Sequence, residues 1–347
     1  MKNFINTPTK LGTALMLGGF CLVAASPALS TVRLNLRPRS SLEKPMAVKV
    51  GIMTIALRGT IELPIAYSIE TQDDVVFEPE ADLEISADIT LDNRWNLGAT
   101  YFVQYKDDPF DDGSIGDDEN FTDHVAVYLN GSWGTLLAGN VAPLVHERTR
   151  RQRNAGNIEL AFDNTYGQLD EWSGGYLGRF GPTTVSALID GDANYDIGIS
   201  FQRPLGNKDY RFSARHTSGE YLAADGVTQF DTKSANLVAE LVYGASRFDI
   251  GGGYERLSSD IVDVDRWYTS AGMYSKYGLW SFTTEAHYGQ TDGQDEISAA
   301  IGLRRDFARG LSAHVGVKYE DAQINLAGVN FINRKDTQVL ASIRYGF

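Results

Sequence analysis

The densest run of chemistry-bearing side chains in this 347-residue chain lies between 141 and 172. Glu147 is followed by four arginines, Arg148, Arg150, Arg151 and Arg153, and then by Glu159, Asp163, Asp170 and Glu171. Guanidinium groups hold their charge at any physiological pH. A block of four, followed by carboxylates, therefore places opposed fixed charges on one tether. Across a narrow aqueous waist, such charges set up a transverse field that sorts solutes by charge and size. The blander reading is a solvated external stretch. In a second run, Asp107 to Glu119, seven of the thirteen residues are acidic and none is basic. Asp108, Asp112 and Glu119 approach the spacing of a calcium loop, but Phe110 occupies a ligand position. Carboxylates this dense could gather Ca2+ at an external loop; the alternative is a solvated acidic loop.

Catalytic groupings are thin. The histidines are His124, His146, His216, His287 and His314, none at the H-E-x-x-H spacing of a metal site. There is no G-x-S-x-G, no phosphate loop and no dinucleotide fingerprint. His287 and Glu285 share one strand face and are the nearest thing to a dyad, yet a polar, water-facing strand explains them more simply. No catalytic residue is assigned, no cofactor is required, and the chain is not expected to be an enzyme.

The elements that would position these groups are strands. From residue 59 onward the hydrophobic period is two. Leu83, Ile85, Ala87, Ile89 and Leu91 alternate with Asp82, Glu84, Ser86, Asp88 and Thr90, and a second such run follows the turn Asp92-Asn93-Arg94. Sixteen candidate strands can be counted to the C-terminus, an even number. Connectors after even strands are short, while most of those after odd strands are longer and rich in Gly and Asp. No apolar run outside the N-terminus approaches the 18–20 residues of a spanning helix. A β-barrel hides its apolar content by alternation. Charges opposite the apolar face, among them Glu84, Asp88, Arg211, Arg215, Arg304, Lys318 and Arg344, would line the lumen. An Arg or Lys facing lipid at mid-membrane would cost about 2–4 kcal/mol.

Composition is consistent with this. With 45 Asp+Glu against 31 Lys+Arg, net −14, the chain is no general nucleic-acid binder. At 43% hydrophobic it is not disordered. Residues 1–30 read as a secretory signal peptide, with Lys2 and Lys10 ahead of an apolar stretch and small residues near Ser26-Pro27-Ala28. The single cysteine, Cys21, falls inside that segment, so no disulfide scaffold is available. Residues 31–58 are basic and lack clean alternation; a flexible lead-in is expected there, with the barrel over 59–347.

Three segments carry a family resemblance. Gly131-Ser132-Trp133-Gly134-Thr135-Leu136-Leu137-Ala138-Gly139-Asn140 resembles the segment of general porins that precedes their long third loop. The terminal Tyr345-Gly346-Phe347 resembles the C-terminal signature of outer-membrane barrels. Gly175 to Pro182 and Phe201 to Gly206 look like alphaproteobacterial porins. The resemblance covers about 59–347. It implies an all-β fold, a 16-stranded antiparallel transmembrane β-barrel in the cell outer membrane with a long third loop folded into the lumen. It further implies a homotrimer in outer-membrane lipid, recognition of the last strand by the barrel assembly machinery, and passive diffusion of small hydrophilic solutes. In the family pattern the folded loop is mainly acidic and the facing wall basic. Here four arginines crowd the loop's first half, which leaves open which side of the waist is positive. Two other functions remain in play: a substrate-specific channel, for which inward Phe102 and Tyr128 would be the start of an aromatic track, and an outer-membrane enzyme.

Overall fold

In a computed structural model of the chain, residues 46–70, 75–77, 79–105, 121–142, 165–167, 169 and 172–347 are described. The expected signal peptide, the acidic run 107–119, and Arg148, Arg150, Arg151, Arg153, Glu159 and Asp163 lie outside them. The described chain is strand from one end to the other. In order these are β1 (Met46–Val50), β2 (Met53–Ser68), β3 (Val76–Phe77), β4 (Glu80–Thr90), β5 (Asn96–Tyr105), β6 (Phe121–Gly131), β7 (Gly134–Gly139), β8 (Ser173–Phe180) and β9 (Thr183–Asp190). They continue with β10 (Tyr195–Leu205), β11 (Lys208–Leu222), β12 (Gln229–Tyr243), β13 (Ser246–Ser258), β14 (Asp263–Tyr277), β15 (Trp280–Thr291), β16 (Gln294–Ala308), β17 (Leu311–Leu326) and β18 (Val329–Gly346).

Sixteen of these, β2 and β4 through β18, pair antiparallel with their neighbours, and β18 returns to pair with β2. Closure leaves the wall without an open edge, which lipid would not tolerate. The faces are inverted relative to a soluble sheet. On β2 the apolar Ile61, Leu63, Ile65 and Tyr67 are 37–49% exposed, while Thr60, Glu62, Ala66 and Ser68 are at most 9% exposed. The same alternation runs round the barrel: apolar side chains face out, and small, polar and charged ones face in. Aromatic residues collect near both ends of the outer face. Phe201 and Phe212 sit side by side near the short turns, as do Tyr277 and Trp280. Tyr254 and Trp267 are partners near the other end, where Trp267 also meets Tyr288 edge-on at 5.5 Å. Trp280 and Tyr288 stand eight residue rises apart on β15, about 27 Å of strand, which a tilted wall turns into a band of membrane height.

Two expectations are corrected. The first wall strand begins at Met53 rather than near 59, and the supposed flexible lead-in ends in a hairpin, β1 with β2. The seam explains it. β18 ends at Gly346, and the next residue, Phe347, exchanges backbone hydrogen bonds with Gly59. Residues Met53 to Leu57 continue beyond that point, pairing with β4 on one edge and with β1 on the other. Alternation fades there because the segment passes the end of the lipid-facing band. Second, several connectors expected as external loops are strand. The β15–β16 and β17–β18 links are the two-residue turns Asp292-Gly293 and Ala327-Gly328, all four residues at positive φ as hairpin turns of this length prefer. β17 and β18 run to 16 and 18 residues. Their outer halves have no lipid face, so the period-two signal that marks a membrane strand is absent.

The face assignment gives a direct prediction. Leu237 of β12 points outward between the two aromatic rows, and its neighbour Asn236 points inward. Leu237→Arg should lower stability by about 2–4 kcal/mol, and Asn236→Arg by far less. Urea unfolding midpoints in lipid vesicles measure both; equal midpoints would contradict the faces described.

Candidate functional site

The long connector from β7 to β8 starts inside the barrel. At its root Asn140 turns the chain: its backbone N–H donates to Val125 O, and its side-chain oxygen accepts from Val125 N at 3.2 Å. Gly139 precedes it at φ +110°, where a Cβ would stand 2.1 Å from Val125 O, so glycine alone fits. Val141 and Ala142 then pack on an inward-facing apolar patch formed by Tyr128, Leu137, Leu177 and Leu188, and Leu169 returns to the same patch. A patch of this kind on a water-facing wall is covered by chain, which is what lets it be apolar.

Between these contacts the connector reaches another wall. The backbone N–H groups of Tyr166 and Gly167 both donate to the carboxylate of Glu255 on β13, each at 3.0 Å. Glu255 pairs with Arg266 of β14 at 3.2 Å, and Arg266 pairs with Glu296 of β16 at 2.9 Å; all three side chains are fully buried. The Arg266 guanidinium is sandwiched, 3.9 Å from the Tyr166 ring and 4.7 Å from the Tyr268 ring. Burial pushes the Tyr166 phenol well above its ordinary pKa, against the opposing pull of the guanidinium. Planar Arg suits this place because it forks to two carboxylates while stacking on two rings. Tyr166 and Gly167 thus hold to the β12–β14 wall, and Leu169 to the β6–β9 patch. Gly167 has no room for a side chain, since a Cβ would fall 1.5 Å from Thr232 Oγ1. We expect Gly167→Ala to displace this attachment and to change single-channel conductance without unfolding the wall. Conductance equal to the unmodified protein would show that the attachment does not border the passage.

The charges placed on the lumen side by alternation fall as follows. Glu84 is buried and pairs with Arg58 at 3.2 Å. Asp88 stands opposite Gly98 in the β4–β5 register. Arg211 stands opposite Glu240, which in turn faces Asp249. Arg215 is buried in a forked pair with Asp196, its Nε donating at 2.8 Å. Arg304 and Lys276 share Asp306, at 2.9 and 3.3 Å. Lys318 pairs with Glu320 at 3.1 Å. Arg344 is buried opposite Glu62 across the closing seam, where Ser342 also donates to Glu62. Cation and carboxylate thus meet at most of these positions, which reduces the net field that the described wall contributes.

His287, which shares a strand face with Glu285, has its Nε2 3.4 Å from the Glu296 carboxylate on β16. Among the described residues no group of three or more His, Cys, Asp or Glu is placed to hold a metal ion. Asp108, Asp112 and Glu119 lie outside those residues. Sequence reasoning missed the Glu255–Arg266–Glu296 anchor. Parity alone would have put all three inward, but only the register brings them to one level, through Glu255 opposite Arg266 and Arg266 opposite Thr291.

A closed barrel with a lipid-facing apolar coat, a polar interior and a chain segment crossing that interior defines an outer-membrane diffusion channel. The comparisons agree. A family model of Gram-negative porins matches residues 13–342, and the chain belongs to that family. OmpT, an outer membrane protein of Vibrio cholerae, superposes with TM-score 0.66 at 10% identity, over 87% of this chain and 99% of that one. The anion-selective porin from Comamonas acidovorans gives 0.58 at 13%, over 85% and 100%. A mutant of Rh. blastica porin gives 0.52 at 14%, over 84% and 100%. At these identities the likeness is one of fold. No curated protein matches the chain in sequence. The protein is therefore a multi-pass β-barrel of the outer membrane, and the porin family and fold point to a channel rather than an enzyme.

Proposed function

We propose that the channel passes small hydrophilic solutes and ions by passive diffusion, filtered by size and charge at a waist built from loop 141–172. The observation that supports this most is the anchoring of Tyr166 and Gly167 to Glu255 inside the barrel. It ties the return leg of the loop across the lumen, and the connector's charged residues belong to the same tether. With the described wall charges largely paired, the loop's Arg148, Arg150, Arg151 and Arg153, with Glu159 and Asp163, become the main source of selectivity. The working assembly is a homotrimer in outer-membrane lipid, secreted by the 1–30 signal and inserted by the barrel assembly machinery through the strand ending in Phe347. OmpT of Vibrio cholerae has been solved in a trimer form. The acidic loop holding Asp108, Asp112 and Glu119 is a candidate to gather Ca2+ at the outer surface.

A planar-bilayer recording tests the reading. Stepwise conductance that no single solute saturates supports general diffusion. A second reading, a substrate-specific channel, is favoured by inward Phe102 and Tyr128, with Phe102 stacked on His124 at 5.9 Å. Conductance saturating with one solute class would select it. A bilayer that stays silent would overturn both.

A further inference from the structure

In a wet sixteen-stranded barrel the inward faces of distant strands stay apart, because the interior is wider than side chains can fill. Here they meet. β12 and β18 are six strands apart round the wall, yet at their external ends the Phe230 and Phe331 ring centroids lie 5.2 Å from each other. Tyr221 of β11, seven strands away, meets Phe331 at 5.1 Å, and Ala224 N donates to Phe331 O at 3.1 Å. Phe230, Phe331, Leu257 and Leu326 are fully buried in one cluster on what is elsewhere a polar, water-facing side. Phe331 is there by backbone design. Ile324 pairs with Ile332 and Asn325 with Asn330, so Phe331 is the extra residue of a β-bulge and is aimed inward beside Ile332. Tyr166 of the crossing segment meets the same ring edge-on at 5.3 Å.

We propose that this cluster is a hydrophobic seal across the external entrance. It closes the β12–β17 arc to solutes, so that Phe331, Phe230 and Tyr221 are size-determining residues of the channel alongside loop 141–172. The proposal rests on the diffusion-channel reading and adds a second filter to it. Solutes are turned away there by bulk and not by charge, since the contact is made by rings and aliphatic side chains. Entry is left to the side of β2 and β4 to β10.

Phe331→Ser and Phe230→Ser test it in the full-length protein, purified and reconstituted into planar bilayers. Either change should raise single-channel conductance by roughly 1.3- to 1.6-fold, as the open section widens. It should also admit neutral polyethylene glycols, added from the external side, that the unmodified channel excludes. Ion selectivity should stay as it was. Phe331→Leu, which keeps an apolar filler, should leave conductance and cut-off nearly unchanged. Conductance and cut-off unaltered in folded serine variants, judged by heat-modifiable gel mobility, would overturn the seal. If the serine variants do not fold, Tyr221→Ala opens the rim of the same contact, and an unmodified cut-off there would overturn it equally. Absence of conductance in the unmodified protein would instead overturn the channel reading.

Discussion

Arg266→Leu should lower the stability of the barrel by about 3–5 kcal/mol and make its current noisy. The guanidinium is fully buried, donates to Glu296 at 2.9 Å and to Glu255 at 3.2 Å, and is sandwiched by two tyrosine rings. Removing one partner of a buried ion set is far more damaging than removing the set, because the remaining charges stay desolvated without their counter-ion. Leucine leaves Glu255 and Glu296 buried without the cation that joins them. The second effect follows from Glu255, which accepts both backbone N–H groups of Tyr166 and Gly167. An uncompensated carboxylate draws water or a proton, and the crossing segment loses its fixed mooring. The triple variant Arg266→Leu, Glu255→Gln, Glu296→Gln should recover much of the stability, since no buried charge is left. It should recover less of the quiet current, since the stacking on Tyr166 is gone. Urea midpoints in vesicles and current variance in bilayers separate the two effects. A single variant with an unmodified midpoint would show that the anchor contributes nothing to the fold.

The contrast between that anchor and the wall shows what sequence can carry. Ile61, Leu63, Ile65 and Tyr67 announce a membrane strand because lipid on one side and water on the other force a strict period of two. That pressure acts on every strand within the bilayer, so the number of strands and the short turns were legible. Where it stops, the signal stops. Asn333 and Lys335 on β18 are exposed with water on their outer side, so the hairpin they belong to carries no period-two signal. At the other end, β1 was obscure because its role is to cover an edge left by the stagger of the seam, a fact about register. Register is also why the anchor stayed hidden. Glu255, Arg266 and Glu296 are scattered along the chain, and each alone looks like any inward polar residue. Phe331 is harder still: a bulge reverses the parity by which its direction would be read.

Replacing Arg148, Arg150, Arg151 and Arg153 together with alanine should shift ion selectivity toward cations more than any change to the described wall. The wall charges sit beside opposite partners: Arg215 on Asp196, Arg58 on Glu84, Arg304 and Lys276 on Asp306. A pair at contact distance presents a dipole whose field fades faster than that of a lone charge, so removing one wall residue alters the passage little. Four arginines in six positions have few carboxylates to answer them locally, Glu147 being their immediate neighbour. On the loop reading their removal takes several positive charges from the passage. In a tenfold salt gradient, where ideal selectivity reads about 59 mV, the reversal potential should move by about 10–30 mV in the cation direction. Salt supplies a check from within the same experiment. The screening length is about 10 Å at 0.1 M and about 3 Å at 1 M. A shift present in dilute salt should therefore fade in concentrated salt, which an altered pore width would not do. Arg256, which is exposed on the outer face of β13 beside Asp263, serves as a control, and its replacement should leave the reversal potential in place. An unchanged potential in the quadruple variant would put the arginine run outside the passage and return the selectivity to the wall.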